Sequence, residues 1–198
     1  ALLRPLLIAL GTCFFLLPPL PAEAQRRSAS APADTAARLD ALYAQYWDAL
    51  MKLDPLQATL QGDARYNDQL PNSLSLAFRQ QYIEFNQQWL ERALAIGDAG
   101  LQGQDLLSYQ IFVRDTRAAL AGRDHPAWML PVNSYYNPAT IIALLGSGAG
   151  AQPFNTVKDY ENWSRRSLGV PALFNQVIDN MRQGIAAGVV QPRALMEK

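Results

Sequence analysis

Few residues in this chain are equipped for chemistry. It carries one histidine, His125, and one cysteine, Cys13. A zinc peptidase helix presents two imidazoles, and a structural zinc cage takes four Cys or His ligands; neither set can be assembled here. A serine hydrolase would use His125 as general base, oriented by an acid such as Asp124. No serine stands in a nucleophile elbow. A loop histidine just past a helix, where positive charge is mildly favoured, accounts for His125 better.

Paired carboxylates are the next candidates, because a glycosidase needs only two acids. Asp63 and Asp68 fall in a polar stretch, and Asp159 and Glu161 stand two apart at a helix start, facing different sides. Helix caps and solvated faces explain most of them. Gly146-Ser147-Gly148-Ala149-Gly150 has the glycine content of a phosphate loop, but Ala151-Gln152-Pro153 follows and no Lys-Ser/Thr step is near. It reads as a flexible connection. Arg165-Arg166 suits an anionic group, although an arginine pair on a helix is first a surface feature.

The segment Trp128-Met129-Leu130-Pro131-Val132-Asn133-Ser134-Tyr135-Tyr136 differs from these. Rigid prolines, an amide and phenols share an irregular stretch between helical halves, the kind of place where a scaffold carries binding groups. Asn133, Tyr135 and Tyr136, joined by Arg166, are therefore expected to line a substrate groove. No residue is assigned a catalytic or metal-ligating role.

These groups must be positioned by helices. Leu39, Leu42, Tyr43, Tyr46, Trp47, Leu50 and Met51 recur at helical spacing, and Asp54-Pro55 ends that run. Pro55 opens a short helix to Leu60, with Gly62 as its stop. Residues 63–73 read as polar loop. A long helix follows from about Leu74 to Ile96, with Leu76 or Phe78, Tyr82, Phe85, Trp89, Leu90 and Leu94 inward. The pattern restarts near Gln104 and stops at Gly122, as an antiparallel neighbour. Residues 123–155 lack sustained periodicity, with one or two turns expected over 139–145. Thr156 and Asp159 then form a capping box for a helix ending near Gly169, with Val157, Tyr160 and Trp163 inward. Pro171 opens the next, with Leu173, Phe174, Val177, Ile178, Met181 and Ile185 inward and Gly188 as its stop. The class is all-α: an antiparallel array of about five to seven helices.

Composition sets the surroundings. In 198 residues, 17 Lys+Arg balance 17 Asp+Glu. No basic stripe suggests a nucleic-acid partner or a membrane-surface protein. Arg4, the apolar run Leu6–Leu17, the Pro18-Pro19 break and Ala22-Glu23-Ala24 fit a secretory signal cleaved after Ala24. The run is too short for a stable membrane span, which takes roughly 20 apolar residues. Cleavage also removes Cys13, and an exported chain without disulfides suits a periplasmic or extracellular protein that relies on its core. Residues 25–33 read as a flexible leader, and 34–198 as the helical domain. Gln191-Pro192-Arg193 resembles a helix start, so the chain is expected to be an amino-terminal piece, one lobe of a larger helical protein.

Several segments resemble one family in the same order. They are Leu53-Asp54-Pro55 through Gly62-Asp63-Ala64-Arg65-Tyr66-Asn67-Asp68; Leu130-Pro131-Val132-Asn133; Pro153-Phe154 through Asp159-Tyr160 to Arg166; and Met181-Arg182-Gln183-Gly184 through Gly188 to Pro192. Together they resemble the bacterial family termed domain of unknown function 885, over about residues 36–198. The resemblance implies an exported, largely helical protein, longer than this chain. Its carboxy-terminal part would carry a His-Glu-x-x-x-x-His-like element, akin to gluzincin-type zinc peptidases. Zinc would then belong to the full-length protein and not to these residues. The partners implied are the remainder of the same chain and a peptide substrate. The alternative is a periplasmic helical module that binds peptides or cell-wall fragments without turnover.

Overall fold

In the computed structural model the described residues are 22–133 and 136–196. Residues 1–21, which hold most of the expected signal peptide, lie outside them. All regular elements among the described residues are helical. The α-helices are α1 (Ala22–Leu53), α2 (Pro55–Leu60), α3 (Leu76–Ile96), α4 (Gly103–Ala121), α5 (Pro138–Gly146), α6 (Val157–Ser167), α7 (Val170–Ala187) and α8 (Arg193–Met196). Short 3-10 turns occupy Ala64–Tyr66, Gly122–Asp124 and Pro126–Met129.

Local chemistry sets the helix starts. The Asp54 carboxylate accepts from the Gln57 N–H at 3.0 Å, the Ser75 hydroxyl from Phe78 at 3.1 Å, and the Asn137 amide oxygen from Ala139 at 3.0 Å. Each satisfies a donor that the first turn leaves without an intrahelical partner. Thr156 and Asp159 form the full reciprocal box that opens α6. At the other end of α7, Gly188 adopts the left-handed conformation (φ 72°) that closes a helix.

The first half packs α1, α3 and α4 together. Leu39 and Leu42 from α1 meet Trp89 and Ala93 from α3, Tyr109 and Val113 from α4, and Leu101 from the α3–α4 connection. Aromatic edges organise this core: Tyr46 stands edge-on to Trp89 at 5.6 Å and to Phe112 at 5.0 Å. Of the inner face expected from spacing, Leu39, Leu42 and Met51 are buried and Tyr43, Tyr46 and Leu50 half-buried, although Trp47 is exposed.

Polar side chains on backbone carbonyls fasten the second half to the first and to itself. Arg166 on α6 donates to the Tyr66 carbonyl at 2.7 Å, the Thr59 hydroxyl at 2.8 Å, the Pro55 carbonyl at 3.3 Å and Gln152 Oε1 at 2.7 Å. Asn180 on α7 donates to the Leu74 carbonyl at 3.0 Å, and Gln191 to the Val132 carbonyl at 3.2 Å. Two glycines permit close approach. A Cβ on Gly146 would stand 2.5 Å from the Trp163 ring, and one on Gly184 would stand 3.0 Å from the Met129 carbonyl oxygen.

Three expectations change. Val157 and Tyr160 do not face inward on α6 but are exposed, while Arg166 occupies the buried side. A planar guanidinium on that side donates to the Pro55 and Tyr66 carbonyls and to Thr59 at once. On α7, Leu173 and Val177 are buried, but Ile178, Met181 and Ile185 are exposed. The backbone of 25–33, expected as a leader, continues α1, in keeping with the high helix propensity of its alanines.

Candidate functional site

A large cleft lies between the start of α3 and the turns that follow α4. Its volume is about 620 Å³, within the roughly 300–1,000 Å³ typical of small-ligand sites. Leu76, Phe78, Tyr82 and Ile83 form one wall, and Gly122, Arg123, His125, Ala127 and Trp128 form the other. The lining is mainly apolar, with Arg79 and Arg123 as its guanidinium groups and, among the described residues, no carboxylate.

Arg79 and Trp128 join the two walls. The Arg79 guanidinium carbon lies 4.1 Å from the centre of the Trp128 ring, the geometry of a cation–π pair. The same guanidinium donates to the Leu74 carbonyl at 3.3 Å. Partial burial lowers the Arg79 pKa from its usual value, yet an arginine keeps its charge throughout the physiological range. Arg123 is exposed and pairs with Asp124 at 3.3 Å. Between the two 3-10 turns His125 is extended, and its N–H donates to the Gly122 carbonyl at 3.2 Å.

The turn Pro126–Met129 walls two spaces. Ala127 and Trp128 face the large cleft, whereas Met129 and the following Leu130 line a second cavity of about 250 Å³. That smaller slot is closed by Met181, Ile185 and Val190 and is almost wholly apolar. Of the irregular segment 128–136, Trp128 lines the larger cleft and Met129, Leu130 and Val132 the smaller one.

The expected site residues do not gather in the cleft. Asn133 and Tyr136 close a turn on each other: the Tyr136 N–H donates to Asn133 Oδ1 at 2.8 Å, and the Asn133 N–H donates to the Tyr136 carbonyl at 2.8 Å. The Asn133 amide oxygen is thus committed to backbone geometry. Burial, with a smaller push from the Asp54 carboxylate, raises the Tyr136 phenol above its usual pKa. Tyr135 lies outside the described residues. Arg166 is not a groove residue but is fully buried. Desolvation pulls its pKa down to about 10, opposed by the Asp68 carboxylate. Its charge is distributed over carbonyls inside the fold, where no substrate reaches it.

Arg79 escaped the sequence reading, because nothing in Phe78-Arg79-Gln80 distinguishes it from a solvated helix arginine. Only the return of Trp128 over it does so. The Gly-rich segment 146–150 is an ordered turn, in which the Ser147 hydroxyl donates to the Leu144 carbonyl at 2.7 Å and accepts from the Ala149 N–H at 3.1 Å.

The donor set does not fit a zinc centre. Among the described residues no group of three or more His, Cys, Asp or Glu converges. His125 shares its cleft with two guanidinium groups, an environment that repels a cation. Among the same residues no helix is long and apolar enough to cross a membrane.

No curated protein and no solved structure matches the chain. One family does, described as "Bacterial protein of unknown function (DUF885)", and its match runs over residues 55–198. That span includes the second helix, both walls of the cleft and the Arg166 anchor. The chain belongs to the DUF885 family.

Proposed function

We propose that this chain forms a helical lobe of an exported, zinc-dependent peptidase, supplying scaffold and one wall of the substrate groove. The observation that supports it best is the 620 Å³ cleft, where Trp128 from the irregular segment meets Arg79 from α3. Apolar walls with a few fixed polar groups suit a peptide, whose side chains need burial and whose termini need charge partners. Zinc, when bound, would supply Lewis-acid activation of water and carbonyl. Its ligands are not among the described residues, and no step is assigned to residues of this lobe beyond binding and orienting substrate. Export rests on the tripartite pattern of residues 1–24.

Protein expressed from its complete reading frame tests this reading. Elemental analysis is expected to find about one zinc per molecule. A mixed peptide library followed by mass spectrometry is expected to show cleavage that a chelator abolishes. Metal-free protein that retains peptides intact would sink the catalytic part and leave a periplasmic binding module.

A further inference from the structure

The charge of the large cleft has one sign. Arg79 and Arg123 line it, His125 lies between its turns, and among the described residues no Asp or Glu contributes to the lining. Asp124, the neighbouring carboxylate, is itself paired with Arg123. Next to these cations Leu76 and Tyr82 expose apolar surface, at 59% and 38% of their areas. A ligand matching this surface joins an anion to an apolar group.

Arg79 is prepared for such an anion. Its guanidinium is held over Trp128, and among the described residues its hydrogen-bond acceptor is the Leu74 carbonyl. A guanidinium has five N–H donors in a rigid fork, so most of them remain for a ligand. Partial burial reduces solvent screening of the charge. A carboxylate presents two oxygens that a fork receives side by side.

We propose that this cleft binds the carboxy-terminal end of a peptide, with the terminal carboxylate on Arg79 and the last apolar side chain against Leu76, Tyr82 and Ile83. Arg123 adds a second, more exposed cation. The assignment rests on the groove-wall reading and narrows it: this lobe holds the end of the substrate chain and sets its register.

Calorimetry on the whole protein, with chelator present to stop turnover, distinguishes the outcomes. The probes are N-acetyl-Ala-Phe-Leu as free acid and as carboxy-terminal amide. The acid is expected to bind at least about tenfold tighter, in line with a charge-assisted pair. Arg79→Gln should bring the acid to within about threefold of the amide's affinity, the remainder being the solvent-screened contribution of Arg123. Arg79→Lys, which keeps the charge but not the fork, should fall between. Arg123→Gln, at an exposed site, should reduce the preference about threefold, as expected of a solvent-screened contact, and guards against misfolding of the Arg79 variants. Equal affinity for acid and amide, no binding of either, or a preference that neither Gln variant reduces would overturn the proposal. Cleavage without end discrimination would defeat this assignment alone, whereas discrimination in a metal-free, inactive protein would defeat the peptidase reading and leave this one standing.

Discussion

Arg166 on α6 donates to the hydroxyl of Thr59 on α2 at 2.8 Å, joining positions 107 residues apart. The same hydroxyl lies 2.7 Å from Asn67 Oδ1 and donates to it, so one chain of hydrogen bonds crosses three segments. Arg166, Thr59 and Asn67 are all buried. Buried networks of this kind are costly to break, because each orphaned partner keeps its desolvation penalty.

Arg166→Ala should therefore destabilise the protein by roughly 2–4 kcal/mol, since it removes the buried donors to Tyr66, Thr59 and Pro55, opens a cavity and leaves the buried Gln152 Oε1 without its partner. Arg166→Lys should recover little of that loss, because one ammonium cannot reproduce the fork. Urea melts of both variants check the ranking. A lysine variant as stable as the parent would show that charge alone, and not geometry, holds α6.

Gly184 allows α7 to cross the 126–129 turn. A Cβ there would lie 2.7 Å from the Val189 carbonyl oxygen and 3.0 Å from that of Met129, both backbone atoms with little room to move. Gly184→Ala is expected to cost about 1–3 kcal/mol, as other overpacked contacts do. It should also displace Trp128, the neighbour of Met129, and so change the affinity of the cleft for peptide acid. Thermal melts and calorimetry measure the two effects separately.

Acid should weaken the protein through Asp159 and Asp63. The Thr156 hydroxyl, followed by backbone donors of Thr156 and Asn155, holds the Asp159 carboxyl below its ordinary 3.8. Hydrogen bonds from Arg65 do the same for Asp63. A carboxyl whose folded pKa is depressed stabilises the fold above the unfolded value, and that contribution disappears as pH falls through the folded value. Stability should be level near neutrality and decline as pH drops towards 3.8 and below. Asp159→Asn should be less stable than the parent at pH 7 and decline less steeply on acidification, as denaturant melts across pH would show.

Asn133 closes its turn by accepting from the Tyr136 N–H. Asn133→Ala should expose that amide to faster hydrogen exchange and cost about 1 kcal/mol, the usual value of one such bond. Peptide affinity should change far less than in Arg79→Gln. A loss of affinity equal to that of Arg79→Gln would return Asn133 to the ligand.

Most of the fold could be read from sequence because its signals are local. Leu39, Leu42 and Met51 lie at helical spacing and are buried, and Ser75, Asn137 and Thr156 cap helices within three residues of themselves. The candidate site could not be read that way. Arg166 appears in sequence as half of a surface arginine pair; its burial depends on carbonyls at 55 and 66, which no local pattern reveals. Val157 and Tyr160 follow the spacing of an inner face, but the buried side of α6 is taken by that arginine. Asn133 suits substrate binding and turn closure equally by type, and only the path of the backbone to Tyr136 decides between them. Arg79 and Trp128 become a pair only after α3 and the 126–129 turn meet.

The long-range fastenings of the second half are unequal in what they demand of sequence. Arg166, Asn180 and Gln191 each grip main-chain oxygens, at Tyr66, Leu74 and Val132. A main-chain oxygen is present whatever side chain its residue bears. Mutational freedom is therefore lopsided: positions 66, 74 and 132 can drift without losing the accepting atom, while 166, 180 and 191 must keep a donor of the right reach. Lineages descending from such a chain would diverge on one side of each fastening and stay fixed on the other.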